Sequence, residues 1–124
     1  MIAGDTFLAG EDEEEKLHLH IVLTPPTADG EIVVVSLTTR RRYSETLVIL
    51  REGDHPFIQH ESVIAFTYSE ITSVTRIQQA IASGKARKRE PLSMELLRRI
   101  QTGLLDSDFT PNGVRQFVRD VLKV

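Results

Sequence analysis

Two short apolar runs constrain this chain more than any other feature of its sequence. The first reads LHLHIVL over residues 17–23, and the second reads EIVVVSLTT over residues 31–39. Both are rich in aliphatic and β-branched residues, and the segment between them, TPPTADG, is rich in residues that break regular structure. This is the pattern of a β-hairpin or an adjacent pair of strands. The second run passes directly into three arginines, so polar side chains gather where the predicted strand pair ends.

The first run is predicted to have one apolar face and one face that carries histidine. Successive side chains of a strand point to opposite faces. The leucines and the isoleucine of the run therefore share one face, whereas His18 and His20 share the other face with Val22. In the second run, Ile32 to Val35 are apolar without interruption, which predicts burial on both faces.

The period of the apolar residues changes near residue 74, from the value of a strand to that of a helix. Before this point the sequence predicts further short strands at residues 4–9, 46–50, 62–68 and 70–74. After it, helical spacing and N-cap residues, among them Ser93 and Thr110, predict helices near residues 75–83, 93–105 and 111–122. A basic segment, residues 85–89, is expected to link the first two helices.

Strands that come first and helices that come later are the order of an α+β fold. A chain of 124 residues is long enough to bury an adequate core as one domain. We therefore expect a single domain over residues 1–124, with a strongly curved β-sheet or barrel over about residues 4–74 and a helical part over about residues 75–123.

The composition narrows the class of protein. Cysteine is absent, which excludes disulfides and thiolate metal sites and favours a reducing, cytoplasmic location. We expect no signal peptide and no membrane partner, because the apolar runs are short. The net charge of −3 argues against a surface that binds nucleic acid everywhere. Residues 11–15 are all acidic, and they are interpreted either as a solvated loop or as a mimic of nucleic acid that covers a basic groove.

The order of these segments resembles the MazF/PemK family of toxin endoribonucleases over roughly residues 4–105. The likeness depends on GDTF at residues 4–7, on the two central strands, on SVI at residues 62–64, on ITSVTRI at residues 71–77 and on LSMELL at residues 92–97. Its most specific part is the pair SVI and ITSVTRI, which keeps the internal spacing of the family's Ser-Val-Ile and Ile-x-Thr-Val-x-x-Arg-Leu patterns.

The resemblance implies an SH3-like β-barrel with added helices, a homodimer, an antitoxin protein as a partner, and cleavage of single-stranded RNA without a metal or another cofactor, leaving a cyclic phosphate. The family's active site pairs an arginine at the start of the second strand with a threonine at the end of the third. The threonine corresponds to Thr38, but the position of the arginine holds His18. The usual Arg-Pro dipeptide is absent, and Tyr68-Ser69-Glu70 stands where a glutamine commonly precedes the Ile-x-Thr pattern.

Histidine is the residue type that best fits the predicted reaction. Attack by a 2′-hydroxyl needs a base, an acid for the leaving oxygen, and groups that stabilise the phosphorane. Imidazole titrates near neutral pH and suits the first two roles, whereas arginine and threonine suit the third. The predicted catalytic residues are His18, Thr38, His20, His55 and His60. Alternatives stay open: the strand histidines are also typical of surface positions, and His55 of a hydrogen bond that caps its loop.

The arginine triplet is predicted to contact RNA. Arginine offers phosphate a planar fork of donors, and a neighbouring aromatic ring stacks on an unpaired base. The predicted RNA-binding residues are Thr39, Arg40, Arg41, Arg42 and Tyr43. The alternative is a solvated hairpin tip.

Two other functions use the same residues. His18 and His20, with His60 or Asp54 as a third ligand, are within the range of a zinc site, although neither a helical HExxH motif nor a cysteine pair supports it. A non-catalytic SH3-like module that binds a protein partner or a nucleic acid is the second alternative. The missing arginine favours the module, whereas Thr38 and the added histidines favour the endoribonuclease.

Overall fold

The computed structural model describes residues 1–10 and 16–124, and the acidic stretch 11–15, with the two interpretations given to it, lies outside the described residues. The strands of the described chain are β1 Thr6–Ala9, β2 His18–Val22, β3 Glu31–Thr39, β4 Ile49–Leu50, β5 Ser62–Ile64, β6 Glu70–Ser73 and β7 Ala86–Arg89. The helices are α1 Val74–Ala82, α2 Met94–Asp106 and α3 Asn112–Leu122, with a short 3₁₀ helix at Phe66–Tyr68. The α+β class predicted from the sequence is confirmed.

The described strands form one antiparallel sheet that is organised around β3. Its strand order is β4-β5-β3-β2-β1-β7, and β6 pairs with β3 off this path. One edge of β3 pairs with β2. The opposite edge pairs with β6 over Glu31–Val34 and with β5 over Leu37–Thr39. The described pairings leave β4 and β7 at the two ends of the path, so the sheet is not closed into a barrel.

The main core lies between one face of the sheet and helices α2 and α3. The strand residues Leu19, Ile21 and Leu23 are fully buried there, as the alternation in the sequence predicts. Ile100 of α2 and Val118 of α3 are also fully buried in this cluster. The predicted burial of Ile32 to Val35 on both faces is confirmed as well, because these residues divide between the two cores.

A smaller core covers part of the opposite face. It contains Phe7, Val22, Ile32 and Val34 of the sheet, together with Ile77 of α1 and Ala86 of β7. Helix α1 begins where the Ser73 side chain accepts a hydrogen bond from the Arg76 amide at 3.2 Å. Because α1 has only 9 residues, it covers only part of this face. The part beside it, which carries the strand histidines, lines an open groove.

The helices agree with the sequence-based predictions to within one residue, but the strands show differences. The predicted strand 46–50 is reduced to β4, and the predicted strand 62–68 ends at Ile64, where the chain turns into the 3₁₀ helix. The basic segment predicted as a linker is in fact β7, which pairs antiparallel with β1. Its one apolar residue, Ala86, is buried in the smaller core, and the basic side chains lie along the edge of the sheet.

The start of α3 also differs from the prediction. Thr110 does not cap this helix; its hydroxyl donates instead to the Leu104 carbonyl in the last turn of α2 at 2.7 Å. Ser93 caps α2 as predicted, by accepting from the Leu96 amide at 3.2 Å. In the described parts of the chain, each helix is too short or too polar to cross a membrane.

Candidate functional site

An open groove of about 810 Å³ lies beside α1 on the sheet face that carries the strand histidines. We call it the sheet groove. Strands β2 and β3 supply its floor, and the 3₁₀ helix and α1 supply one wall. Its polar and charged lining residues are Lys16, His18, His20, Ser36, Thr38, Tyr68, Glu70, Thr72 and Arg76.

Two of the predicted catalytic residues, His18 and Thr38, are neighbours on adjacent strands. The register of β2 and β3 places His20 opposite Ser36 and Val22 opposite Val34. The same register, continued by two residues, places His18 opposite Thr38. Directly opposite residues in an antiparallel pair have Cβ atoms about 4.5–5.5 Å apart. Both side chains are half-buried and line the sheet groove.

The imidazole of His18 is oriented by the backbone. Its Nδ1 atom lies 3.2 Å from the Leu37 carbonyl oxygen. Because a carbonyl only accepts, this contact assigns the proton to Nδ1. Nε2 then carries the lone pair in the neutral ring, and it is the atom through which His18 can take up and return a proton.

His20 lies beside His18 in the sheet groove, but its ring is held against Phe7. The two ring centroids are 5.0 Å apart, and the planes are 7° from parallel. Its Nε2 atom is 3.4 Å from the Ala9 carbonyl oxygen. His20 therefore forms part of the groove floor with a fixed ring plane.

A second groove, of about 390 Å³, meets the sheet groove at His18 and Thr38, which line both. We call it the loop groove, because residues 56–60 form one of its walls. His60 is exposed in it, and its Nε2 atom is 3.0 Å from the Thr39 hydroxyl. The structure thus brings three of the predicted catalytic residues to one continuous surface, with His20 alongside.

His55 is not brought to this surface. It is buried at 3% exposure, and both ring nitrogens have backbone contacts. Nδ1 accepts from the Phe57 amide at 3.0 Å, which places the ring proton on Nε2, and Nε2 donates to the Glu90 carbonyl at 2.7 Å. The Thr6 hydroxyl, 3.4 Å from Nε2, also donates to that carbonyl. The ring joins the 53–60 loop to β1 and to the end of β7. His55 therefore has the role given as the alternative to catalysis, a hydrogen bond that caps its loop.

The arginine triplet borders a third depression, of about 530 Å³, which shares Thr39 and His60 with the loop groove. Arg40 pairs with Glu61 at 2.8 Å. Arg41 and Arg42 have no carboxylate partner within the described ranges, and the Arg42 guanidinium lies 5.5 Å from the centre of the exposed Tyr43 ring. All five predicted RNA-binding residues therefore lie at or beside one end of the connected grooves.

Several lining residues were missed by sequence reasoning. Ser36 could have been found, because it alternates with Thr38 on the same strand face. Tyr68 and Arg76 enter the groove only because the chain turns into a 3₁₀ helix and then α1. Arg89 was assigned to a linker, yet it lines the loop groove and lies 5.7 Å from the centre of the Phe57 ring.

The electrostatics of the two main grooves favour an anion. Among the described residues other than the histidines, the charged ones that line these grooves are three cations, Lys16, Arg76 and Arg89, and one anion, Glu70. The Arg89 side chain donates to the Glu90 carboxylate at 3.1 Å and holds the pKa of that carboxyl below its usual value.

The zinc alternative finds no ligand set in the described chain. Outside residues 11–15, no three His, Asp or Glu side chains are gathered closely enough to hold a metal ion. Asp54 is used locally, since its carboxylate accepts from the Arg51 amide at 2.7 Å.

No protein-family model and no curated protein sequence matches this chain. The likeness to the MazF/PemK family therefore depends on the motifs of this sequence alone.

Proposed function

We propose that this protein binds single-stranded RNA along the connected grooves and cleaves it without a metal, as a divergent MazF/PemK-like toxin endoribonuclease. One observation carries the proposal: His18 and Thr38, on the paired strands β2 and β3, both line the sheet groove and the loop groove where the two meet. A histidine that can exchange a proton, a hydroxyl that can donate to the phosphate, and nearby cations are the groups that 2′-hydroxyl attack on a phosphodiester uses. The described residues of the two grooves include all three kinds.

In the proposed reaction, Nε2 of His18 removes the proton of the 2′-hydroxyl. The 2′-oxygen then bonds to the adjacent phosphorus, and the bond from phosphorus to the 5′-oxygen breaks. We assign protonation of the leaving 5′-oxygen to the imidazolium of His60, which lines the loop groove together with His18. Thr38 donates its hydroxyl to a phosphoryl oxygen, and Lys16 and Arg89 offset the negative charge of the phosphorane.

The proposal includes an SH3-like arrangement of the strands, a homodimer, an antitoxin partner and a cytoplasmic location. An SH3-like arrangement is supported by β3, which pairs with two strands along the edge opposite β2. Its first half pairs with β6 and its second half pairs with β5. A homodimer, an antitoxin protein as partner and a cytoplasmic location follow from the family likeness. Sedimentation at micromolar concentration tests the dimer, and a particle of a single chain alone would contradict it.

The direct test is cleavage of a mixed-sequence single-stranded RNA in the presence of a chelator, from about pH 5 to pH 9, across the range in which imidazole titrates. Wild type should give cyclic-phosphate products. Its rate should fall at both ends of the range, because His18 must be neutral and His60 must be protonated.

Variants test whether the cleavage takes place at this site. His18→Ala and Thr38→Ala should each lower the rate by about 100-fold or more. Thr102→Ala, an exposed threonine on α2 outside the grooves, is the matched control and should leave the rate unchanged. Full activity of both site variants would place the reaction elsewhere, and loss of activity with chelator would move the case to a metal enzyme.

A second candidate is a binding module that does not cleave. It is favoured by one observation, the histidine at the position where the family has its arginine. Binding of RNA by wild type without products at any pH would support it.

A further inference from the structure

A cavity of about 260 Å³ lies next to the sheet groove and the loop groove. We call it the aromatic pocket, because Tyr43 and Phe109 are among its lining residues. Thr38, which the proposed reaction places at the phosphate, lines all three cavities. The aromatic pocket is therefore continuous with the proposed RNA path, although the proposed reaction does not use it.

The aromatic pocket combines a buried apolar lining with two exposed aromatic rings. Val63, Ile64 and Phe66 are buried, whereas Tyr43 is 90% exposed and Phe109 is 62% exposed. The two exposed residues come from distant parts of the chain, the segment after β3 and the connection between α2 and α3. A single exposed apolar side chain needs no explanation, but two aromatic rings that border one apolar cavity mark a binding surface.

The backbone that carries each exposed ring is held by hydrogen bonds. Tyr43 lies in a turn in which the Arg41 amide donates to the Ser44 hydroxyl at 2.7 Å, and the Ser44 amide donates to the Arg41 carbonyl at 3.2 Å. The Phe109 amide donates at 3.1 Å to the hydroxyl of Ser107, which is itself buried. Because both rings stand on a fixed backbone, less conformational entropy is lost when a ligand packs against them.

The charges favour a base over a phosphate in this cavity. Glu45 is the one charged residue among the described residues that line it. The Ser107 hydroxyl lies 2.7 Å and 3.0 Å from the two carboxylate oxygens of Glu45, so this carboxylate helps to hold the connection that carries Phe109. Among the described residues of the two grooves, by contrast, cations predominate. A phosphate is attracted to the grooves and repelled by the carboxylate, whereas an uncharged base can enter the pocket.

We infer that the aromatic pocket receives one unpaired base of the RNA, which stacks against the Tyr43 and Phe109 rings. The inference rests on the proposed function, because it needs an RNA strand in the grooves. The sequence predicted a stacking role for Tyr43 alone, and the structure adds Phe109 and the cavity between distant segments. Since Thr38 lines the pocket and both grooves, the bound base belongs to a nucleotide next to the cleaved phosphate.

Stacking in this pocket strengthens binding without reading the sequence, because every base has a π-face. The test therefore compares two strands that differ by one base. The first consists of five 2′-O-methyl ribose units that lack bases, and the second is the same strand with a single adenine at the centre. The 2′-O-methyl groups block cleavage. Fluorescence anisotropy should show that wild type binds the strand with the adenine about tenfold or more tightly.

Variants at the two exposed rings assign this gain to the pocket. Phe109→Ala and Tyr43→Ala should each reduce it to about threefold or less, and the affinity of each variant for the strand without bases is its internal reference. Met94→Ala, which removes a side chain that is 60% exposed on α2 outside the pocket, is the control and should keep the full gain. Because both rings are exposed, the variants should fold, which urea denaturation checks.

The outcomes separate this inference from the proposed function. No gain in wild type, or a gain that persists when Tyr43→Ala and Phe109→Ala are combined, would overturn the inference and leave the proposed function standing. An apolar side chain of a protein partner would then be the better occupant of the pocket. Failure of both strands and of a mixed-sequence 2′-O-methyl RNA to bind would overturn the proposed function, and the inference with it.

Discussion

Histidine at position 18 makes the site sensitive to pH in a way that the family's arginine would not. Nδ1 of His18 is committed to the Leu37 carbonyl, so that Nε2 alone is available for proton transfer. Arginine stays protonated at every accessible pH and cannot act as a base. The residue at this position therefore decides whether the proposed site uses a base or only a cation.

His18→Arg separates these two roles. If His18 is the base, this variant should lower the single-turnover cleavage rate by about 10²–10⁴-fold, while RNA binding is retained because the guanidinium also contacts phosphate. Rate and affinity are measured on the same preparation, with Thr38→Ser as the control that keeps the hydroxyl. A fully active His18→Arg variant that loses the fall in rate at alkaline pH would assign His18 the role of a cation.

His55 should contribute to stability rather than to cleavage. Its ring is buried, accepts from the Phe57 amide and donates to the Glu90 carbonyl. Removing the ring leaves the Phe57 amide without this acceptor and opens a cavity in the packed loop. We expect His55→Ala to lower the free energy of unfolding by about 2–3 kcal/mol in urea denaturation. The control is His60→Ala at an exposed position, with a change within about 0.5 kcal/mol. Equal effects of the two variants would contradict the structural role of His55.

At the scale of elements, local signals predicted the helices well and the short strands poorly. Ser93 and the apolar stripe of α2 are signals within the sequence, and they placed that helix to within one residue. Strand β7 reads Ala-Arg-Lys-Arg and shows no apolar alternation, so its pairing with β1 could not be read from the sequence. That pairing exists because Ala86 completes the smaller core.

The residues of the candidate site likewise fall into some that the sequence predicted and some that it did not. Alternation along β2 placed His18 and His20 on one face, and the likeness to the family supplied Thr38. The place of Arg89 in the loop groove was not predicted, because Arg89 and Thr38 are 51 positions apart in the sequence and no pattern joins them. The pairing of β7 with β1 is what brings Arg89 to this side of the sheet.

The packing of α2 on the sheet depends on one glycine. A Cβ atom at Gly103 would lie 2.5 Å from Val48 Cγ2 and 2.9 Å from Phe66 Cζ, both in the main core. Gly103→Ala should therefore lower the free energy of unfolding by about 1–3 kcal/mol, although alanine is the better helix former by about 1 kcal/mol. Gly113→Ala in α3, where a Cβ meets nothing within 4 Å, is the matched control and should be neutral or stabilising. The reverse order in a thermal or urea melt would contradict this account of the packing.

At the scale of the whole molecule, the positive and negative charges are unevenly distributed over the surface. The chain carries a net charge of −3, yet among the described residues the charged side chains that line the grooves are mainly cations, and the arginine triplet continues them. On the proposed function, RNA would bind along this limited path and would be repelled by the acidic remainder of the surface. The protein's affinity for RNA should therefore fall steeply with salt, while its overall acidity limits non-specific contacts.

The salt dependence of RNA affinity tests how many phosphates the proposed path would contact. On single strands, the slope of log affinity against log salt changes by about 0.7 for each phosphate contact that is lost. Arg41 and Arg42 have no carboxylate partner in the described ranges, so replacing both with alanine should reduce the slope by about 0.7–1.4. Arg98→Ala, in the exposed part of α2 away from the grooves, should shift the affinity slightly without changing the slope. A wild-type slope in the double variant would show that Arg41 and Arg42 contact no phosphate. The arginine triplet would then be a solvated hairpin tip, and the RNA path would extend no further than His60.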